Sequence, residues 1–124
     1  MSDRFQSVSV RSYSTGTQGR SITSARTNHF VVDDPDYVGG PNEAITAGEA
    51  FFSGITACAV LMLERLARER EYPLKWVDVS LDGTRDTEAV HEVYSVYDQV
   101  HMRFELTGVD EAQAQDLVET YKGR

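Results

Sequence analysis

The longest apolar stretch of the chain runs from Ala50 to Leu63, and two hydroxyl residues are its only interruptions. A surface helix shows a polar stripe every three to four residues, and none is present here before Glu64. The stretch is too long for a buried strand, so it predicts a helix over Thr46–Arg70 that is apolar on all sides in its first half. Such a helix is ~36 Å long.

Both ends of this helix carry sequence signals. The spacing Thr46-x-x-Glu49 predicts a capping box, in which each side chain bonds the backbone N–H of the other residue. Pro73 follows the last charged turn and marks the end of the helix. These signals predict where the helix begins and where it ends.

The residues before the helix predict three strands and a loop. Alternation around Val8 and Val10 predicts a strand over Phe5–Tyr13, and the Gly- and Ser-rich residues that follow predict a turn. Arg20–Ser24 and Asn28–Val32 are predicted to be the second and third strands, the first two forming a hairpin. The Asp-, Gly- and Pro-rich residues 33–45 then predict a loop that leads into the helix.

The residues after the helix predict two strands and a second helix. Lys75–Leu81 alternates apolar and polar residues, and Asp82-Gly83 is expected to end that strand. β-forming residues dominate from Val93 onward, and the alternation is clearest over Val100–Leu106. Asp110–Lys122 is predicted to be a helix with Asp110-x-x-Gln113 as its cap.

This order of elements predicts an α+β fold with antiparallel sheets packed around a long central helix, in a single domain over residues 1–124. About 100 other residues give too little cover for a helix that is apolar all round. We therefore expect a homodimer that buries the helix between two copies.

Composition narrows the class of partners. The sequence is 40% hydrophobic and 26% charged, as in soluble globular proteins, and its net charge of −8 disfavours nucleic acid and anionic membranes. The apolar stretch is shorter than a bilayer span, and no hydrophobic signal region opens the chain, so we expect a cytoplasmic protein. A single cysteine, Cys58, leaves no disulfide within the 124 residues.

We expect neither a metal nor another cofactor. His29, His91 and His101 fall in separate predicted elements without the spacing of metal ligands. The acidic loop that follows the third strand lacks the spacing of a calcium loop.

Three features, in this order, resemble the OsmC/Ohr family of osmotically inducible and organic hydroperoxide resistance proteins. The first is the loop Asp33–Gly40, which is similar to the family's D-x-P-x-x-x-GG. The second is a glutamate nine residues before a helix cysteine, here Glu49 and Cys58. The third is the run from Val96 to Gly108 followed by a helix with an acidic start. The resemblance covers nearly the whole chain.

The resemblance implies an intertwined homodimer with its active sites at the subunit interface. In active members, a peroxidatic and a resolving cysteine reduce organic hydroperoxides through a disulfide. The resolving cysteine usually follows the second helix in a Cys-Pro step, about where this sequence reaches Arg124. Either the chain continues or that cysteine is absent. The implied partners are a small apolar hydroperoxide and, without a second cysteine, an external thiol.

The candidate site residues that the resemblance implies are Cys58, Glu49 and Arg20. Cys58 has two interpretations, a nucleophile or a small buried residue of the core. Burial in an apolar run raises the pKa of a thiol, so a reactive Cys58 would need a cation from elsewhere. Arg20 or Arg26 could supply it, while Glu49 either orients such an arginine or only caps the helix. The proline usual before the helix glutamate is Ala47 here.

Two functions therefore follow from the sequence. The leading one is a thiol-dependent peroxidase that reduces organic or lipid hydroperoxides in defence against oxidative stress. The alternative is a non-catalytic module that binds an apolar small molecule, with Cys58 as core packing.

Overall fold

The computed structural model describes residues 4–86, 88 and 97–123. Along this part of the chain come three strands, a long helix, two strands and a second helix, which confirms the α+β prediction. The residues divide into two compact units, Met1–Phe51 and Phe52–Arg124. The prediction of a single domain stays a prediction.

The first unit contains an antiparallel three-stranded sheet. Its strands are β1 (Arg11–Ser14), β2 (Arg20–Ala25) and β3 (Asn28–Asp33), in the spatial order β1-β2-β3. The turn between β2 and β3 places Arg26 at a positive φ of 57°. The resulting register sets Arg20 directly opposite Asp33.

The predicted first strand is wrong over its first six residues. Strand pairing begins at Arg11, and residues 5–10 form no strand. The side chain of Val8 is 94% exposed, and Phe5 and Val10 are exposed as well. Alternating residues form a strand only where a neighbouring strand supplies hydrogen-bond partners. The pairing of β2 with this part of the chain begins at Arg11 and does not extend to residues 5–10.

The long helix, α1, spans Ala47–Glu69, as predicted to within one residue at each end. The predicted capping box is confirmed. The N–H of Thr46 donates to Glu49 Oε1 at 2.9 Å, and the N–H of Glu49 donates to Thr46 Oγ1 at 3.2 Å. Between β3 and α1, one turn of 3₁₀-helix forms at Asp36–Val38 within the predicted loop.

The second unit contains an antiparallel pair of strands and a helix. The strands are β4 (Trp76–Thr84) and β5 (Gln99–Thr107), and alternate residues of β4 are half-buried and exposed, as predicted. The helix α2 spans Glu111–Lys122. Its capping box is confirmed by bonds of 2.8 and 3.2 Å between Asp110 and Gln113.

The core of this unit lies between α1, α2 and the β4–β5 pair. Leu63, Leu66, Ala67 and Leu117 are at most 2% exposed. Partly buried residues from the two strands, the helices and the turn after α1 pack around them: Met62, Tyr72, Leu74, Val77, Val79, Phe104, Leu106 and Tyr121. Only one side of α1 is covered in this way.

The predicted end of β4 at Asp82-Gly83 is wrong, because the strand continues to Thr84 and Gly83 pairs with Val100. Glycine is needed at this position because two aromatic rings lie close to the backbone of the strand. A Cβ at Gly83 would lie 2.6 Å from the ring of Phe52 and 2.9 Å from Tyr97. These two rings form a pair with centroids 5.0 Å apart. The other predicted strand residues, 93–96, lie outside the described residues.

The opposite side of α1 is apolar and exposed over its first half. Phe51 is 65% and Leu61 58% exposed, and Gly54, Ala57 and Cys58 lie on the same exposed side. By length and composition alone α1 could also cross a membrane, although core helices of soluble proteins meet the same criterion. The predicted homodimer, which would cover this side, stays a prediction.

Candidate functional site

Within one chain Cys58 is exposed, whereas one of its two interpretations from the sequence is a small residue buried in the core. An apolar run shows that a helix can be buried, but it does not show which side the rest of the chain covers. Here the chain covers the side of Ala59, Leu63 and Leu66. Cys58 points away from that side, because it lies one position before Ala59 and 100° around the helix from it.

The surface around Cys58 is apolar and open. One turn before it lies Gly54, where an added Cβ would meet nothing within 4 Å. One turn after it lies Leu61, whose side chain is 58% exposed. Residues three and four apart are neighbours on a helix surface, so Gly54 leaves space beside the thiol and Leu61 gives it an apolar flank. A molecule with an apolar body can approach the sulfur from this side.

Arg20, at the start of β2, is held by two carboxylates. Its Nε and Nη2 donate to the two oxygens of Asp33, both at 2.8 Å, in a bidentate pair. Nη2 also donates to Glu43 Oε1 at 3.1 Å. The bidentate geometry fixes the plane of the guanidinium as well as its position.

Asp33 is the buried member of this cluster, with 1% of its surface exposed. Besides Arg20 it accepts a hydrogen bond from the N–H of Glu43 at 3.1 Å. The bond from Arg20, aided by those from backbone N–H groups, holds the pKa of Asp33 below its ordinary value, although burial opposes the shift. The two carboxylates in turn raise the pKa of Arg20. The pair of Arg20 and Asp33 is therefore charged at physiological pH.

This arrangement limits what Arg20 can do for a thiolate. Asp33 and Glu43 together carry one more charge than Arg20 balances, and Asp34 lines the same open groove of about 370 Å³ as Arg20. The local charge is negative, so it disfavours a second anion. The prediction that Arg20 serves Cys58 stays a prediction.

Glu49 and Arg26 are the other two charged residues that the sequence analysis considered for the site. Glu49 uses Oε1 and its N–H in the capping box with Thr46, the role that helix spacing alone predicted. Arg26 lies exposed in the β2–β3 turn. The prediction that either residue acts at Cys58 is not tested by these contacts.

The sequence analysis missed Asp33 and Glu43 as partners of Arg20. A signal was present for Asp33. Once the turn of the β2–β3 hairpin is placed at Arg26-Thr27, antiparallel pairing puts Arg20 and Asp33 opposite each other. Glu43 comes from the irregular loop, whose path no periodic pattern reveals. Among the described residues, no group of three His, Cys, Asp or Glu is arranged to hold a metal ion.

Comparisons with known proteins place these elements in a family. The family model described as OsmC-like protein matches residues 40–124. That stretch includes α1, Cys58 and the whole β4–β5–α2 segment. A comparison with curated proteins finds no match.

Several solved structures have the same fold. An OsmC-like protein from Mycoplasma pneumoniae is 12% identical, with a TM-score of 0.81 over 96% of this chain and 82% of that one. An organic hydroperoxide resistance protein OsmC from Legionella pneumophila is 15% identical, with a TM-score of 0.66 over 94% and 82%. The organic hydroperoxide resistance protein OhrB of Bacillus subtilis is 15% identical, with a TM-score of 0.57 over 92% and 82%. At these identities the likeness concerns the fold.

Proposed function

The chain belongs to the OsmC-like protein family, and from this premise we propose that it reduces organic hydroperoxides with the thiol of Cys58. The observation that carries the proposal is the exposed position of Cys58 on the open, apolar side of α1. Two proteins of the same fold are named organic hydroperoxide resistance proteins, which supports the same substrate class.

The reaction needs one thiolate and an external thiol. The Cys58 thiolate attacks the terminal oxygen of the hydroperoxide, and the O–O bond breaks. The sulfur becomes a sulfenic acid, and the alkoxide leaves as the alcohol after taking a proton. A small thiol then condenses with the sulfenic acid, releasing water and forming a mixed disulfide. A second thiol molecule reduces that disulfide and restores Cys58.

The apolar surface near Cys58 accounts for the preference for organic substrates. Leu61 and the open space over Gly54 would exclude water around the alkyl group of a hydroperoxide. Burying apolar area is worth about 25 cal/mol per Å², a gain that hydrogen peroxide does not share. We therefore propose that the enzyme distinguishes substrates by their apolar body.

A homodimer is part of the proposal. The exposed apolar side of α1 is a surface of the kind that a second copy covers in obligate dimers, and in this proposal the second copy encloses the space over Gly54 beside the thiol without filling it. The predicted helpers of the thiol, Glu49 and Arg20, are bonded elsewhere within their own chain. A site completed by a second copy, in a cytoplasm that supplies the reducing thiol, fits these observations. Sedimentation at micromolar concentration should then give twice 13.9 kDa.

Mass spectrometry of the Cys58 peptide tests the peroxidase directly. The 124-residue protein is treated with cumene hydroperoxide, with hydrogen peroxide, or with neither, and the sulfenic acid is trapped with dimedone. We expect trapping to be faster with cumene hydroperoxide. Excess peroxide without a thiol should add two oxygens, because Cys58 is the single cysteine of the sequence and its sulfenic acid then proceeds to the sulfinic acid.

Turnover with a small dithiol completes the test. Wild type should consume cumene hydroperoxide in the presence of dithiothreitol, and Cys58→Ser should not. A thiol that neither peroxide modifies, and that alkylating reagents reach only after unfolding, would contradict the proposal. The non-catalytic binding module would then describe the protein.

A further inference from the structure

We propose that the unit Phe52–Arg124 binds a carboxylate with an apolar body in a pocket at the C-terminal end of α1. The pocket has a volume of about 370 Å³, within the range of small-molecule sites. Its lining combines an apolar floor, an aromatic wall and two cations: Ala67, Leu74, Val77, Trp76, Arg68 and Lys75. Cys58 is not among the lining residues, so the site goes beyond the proposed peroxidase.

The floor of the pocket is part of the core. The partly buried side chains of Leu74 and Val77 form its surface, and they pack against the buried cluster that contains Ala67. The wall is different, because Trp76 is 66% exposed at the start of β4. An indole ring left this open beside a concave apolar floor gains by covering its face with a ligand. The apolar part of the ligand would lie between Trp76 and the floor.

The charge of the pocket selects an anion. Arg68 and Lys75 line it together with Glu64, which leaves one net positive charge in a chain whose net charge is −8. In the part of the chain that the structure describes, neither Arg68 nor Lys75 forms an ion pair. A carboxylate bound by both would form charge-assisted hydrogen bonds.

The dipole of α1 makes both cations necessary. The C-terminal end of a helix carries a partial negative charge, which repels an anion placed there. Glu64 adds to this repulsion. Arg68 alone offsets the helix end, so the second cation, Lys75, provides the net attraction for the carboxylate. Loss of either residue should therefore abolish most of the affinity.

The pocket is held in shape before any ligand arrives. The N–H of Lys75 donates to the carbonyl of Thr107 at 2.9 Å. Gly108, at a φ of +93°, leaves room for the stem of Lys75, whose Cγ lies 2.8 Å from where a Cβ would stand. The hydroxyl of Tyr72, another lining residue, donates to Asp116 on α2 at 2.7 Å. The backbone of the pocket is therefore set before binding, and the entropic cost of binding is that of ordering the side chains of Arg68 and Lys75.

The tryptophan fluorescence of the protein, excited at wavelengths that tyrosine does not absorb, reports on this pocket, because Trp76 is the single tryptophan of the sequence. The protein is titrated with octanoate and with two controls. 1-Octanol has the same alkyl chain without the charge, and acetate has the carboxylate without the long alkyl chain. We expect a saturable shift of the emission to shorter wavelength with octanoate. Neither control should give that shift at the same concentrations.

Three variants decide which residues bind the carboxylate. Arg68→Gln and Lys75→Gln should each raise the octanoate Kd by about tenfold or more, as expected for a lost charge-assisted bond. Arg65→Gln removes an exposed arginine of the same helix that does not line the pocket, and its Kd should equal that of wild type. Thermal melts confirm that each variant is folded.

Each other result would overturn the proposal. An equal shift with 1-octanol would mean an apolar patch without selection for charge. Equal weakening in Arg65→Gln would mean a general effect of net charge, and no saturable shift at millimolar octanoate would mean no site. Cys58→Ser should bind octanoate as wild type does, so the pocket and the peroxidase succeed or fail independently.

Discussion

Replacing Gly83 by alanine tests the packing of Phe52 and Tyr97 over β4. The new Cβ would lie 2.6 Å from two ring carbons of Phe52 and 2.9 Å from Tyr97, whereas Cβ atoms essentially never come within 3.0 Å of another heavy atom. The rings are not flexible tails, and Phe52 is fixed on α1, so the strand and the helix must shift. Overpacking of this kind costs about 1–3 kcal/mol. We expect the melting temperature to fall by about 4 °C for each kcal/mol.

Urea denaturation at one fixed protein concentration measures this change. Gly123→Ala is the matched control, because its φ is −84° and a Cβ there meets only carbonyl oxygens at 3.6 and 3.7 Å. That variant should stay within about 0.5 kcal/mol of wild type. The cost of Gly83→Ala should shrink when Phe52→Ala removes the ring. Equal stability of Gly83→Ala and wild type, or a cost that Phe52→Ala leaves unchanged, would refute the close-approach explanation.

Three further predictions concern charge, capping and the core. The pKa of Asp33 is lowered, so its ion pair with Arg20 stabilises the fold above about pH 4 and this stability is lost as the pH falls through the folded pKa. Melting curves from pH 7 to pH 3 should show Asp33→Asn less stable at neutral pH and approaching wild type in acid, and a constant gap would contradict this. Glu49→Gln keeps a side chain that can cap the N–H of Thr46, so its melting temperature should equal that of wild type. If its peroxidase rate is also unchanged, capping is the role of Glu49 and it does not act at the thiol. Leu63→Ala empties a fully buried position and should cost about 2–5 kcal/mol in urea denaturation, and a cost below about 1 kcal/mol would place Leu63 outside the core.

The sequence predicts those elements that local chemistry determines. Both capping boxes, at Thr46 and Asp110, form as their spacing indicates, because each needs only residues within one turn. β4 and β5 follow from alternation, since each presents one side to the same core. The fold class follows from the order of these elements.

The wrong predictions all depend on residues distant in the chain. Phe5–Val10 alternates as a strand does, but strand formation also requires a neighbouring edge. Gly83 is a strand breaker by propensity, and only the rings across from it explain why a glycine continues the strand. The exposure of Cys58, which the sequence analysis left open, likewise depends on which side of α1 the chain covers, and an all-round apolar pattern carries no such information.

In the candidate site, too, the sequence predicts the local features and misses the contacts that depend on distant residues. The resemblance carried by the loop and by the spacing of Glu49 and Cys58 led to the family that the comparison over residues 40–124 identifies. It did not reveal that Arg20 is bound by Asp33 and Glu43, because that contact depends on strand register and on the path of a loop.

The ion pair between Arg20 and Asp33 also decides between alternative alignments of β2 and β3. A shift of two residues keeps every side chain on its own face, so the apolar pattern alone tolerates it. That shift would set Ile22 opposite Asp33 in place of Arg20 and leave a buried carboxylate without its cation. The observed alignment is the one in which the charge is matched. Insertions in the turn at Arg26 can therefore vary in length only if they return the chain to this pairing.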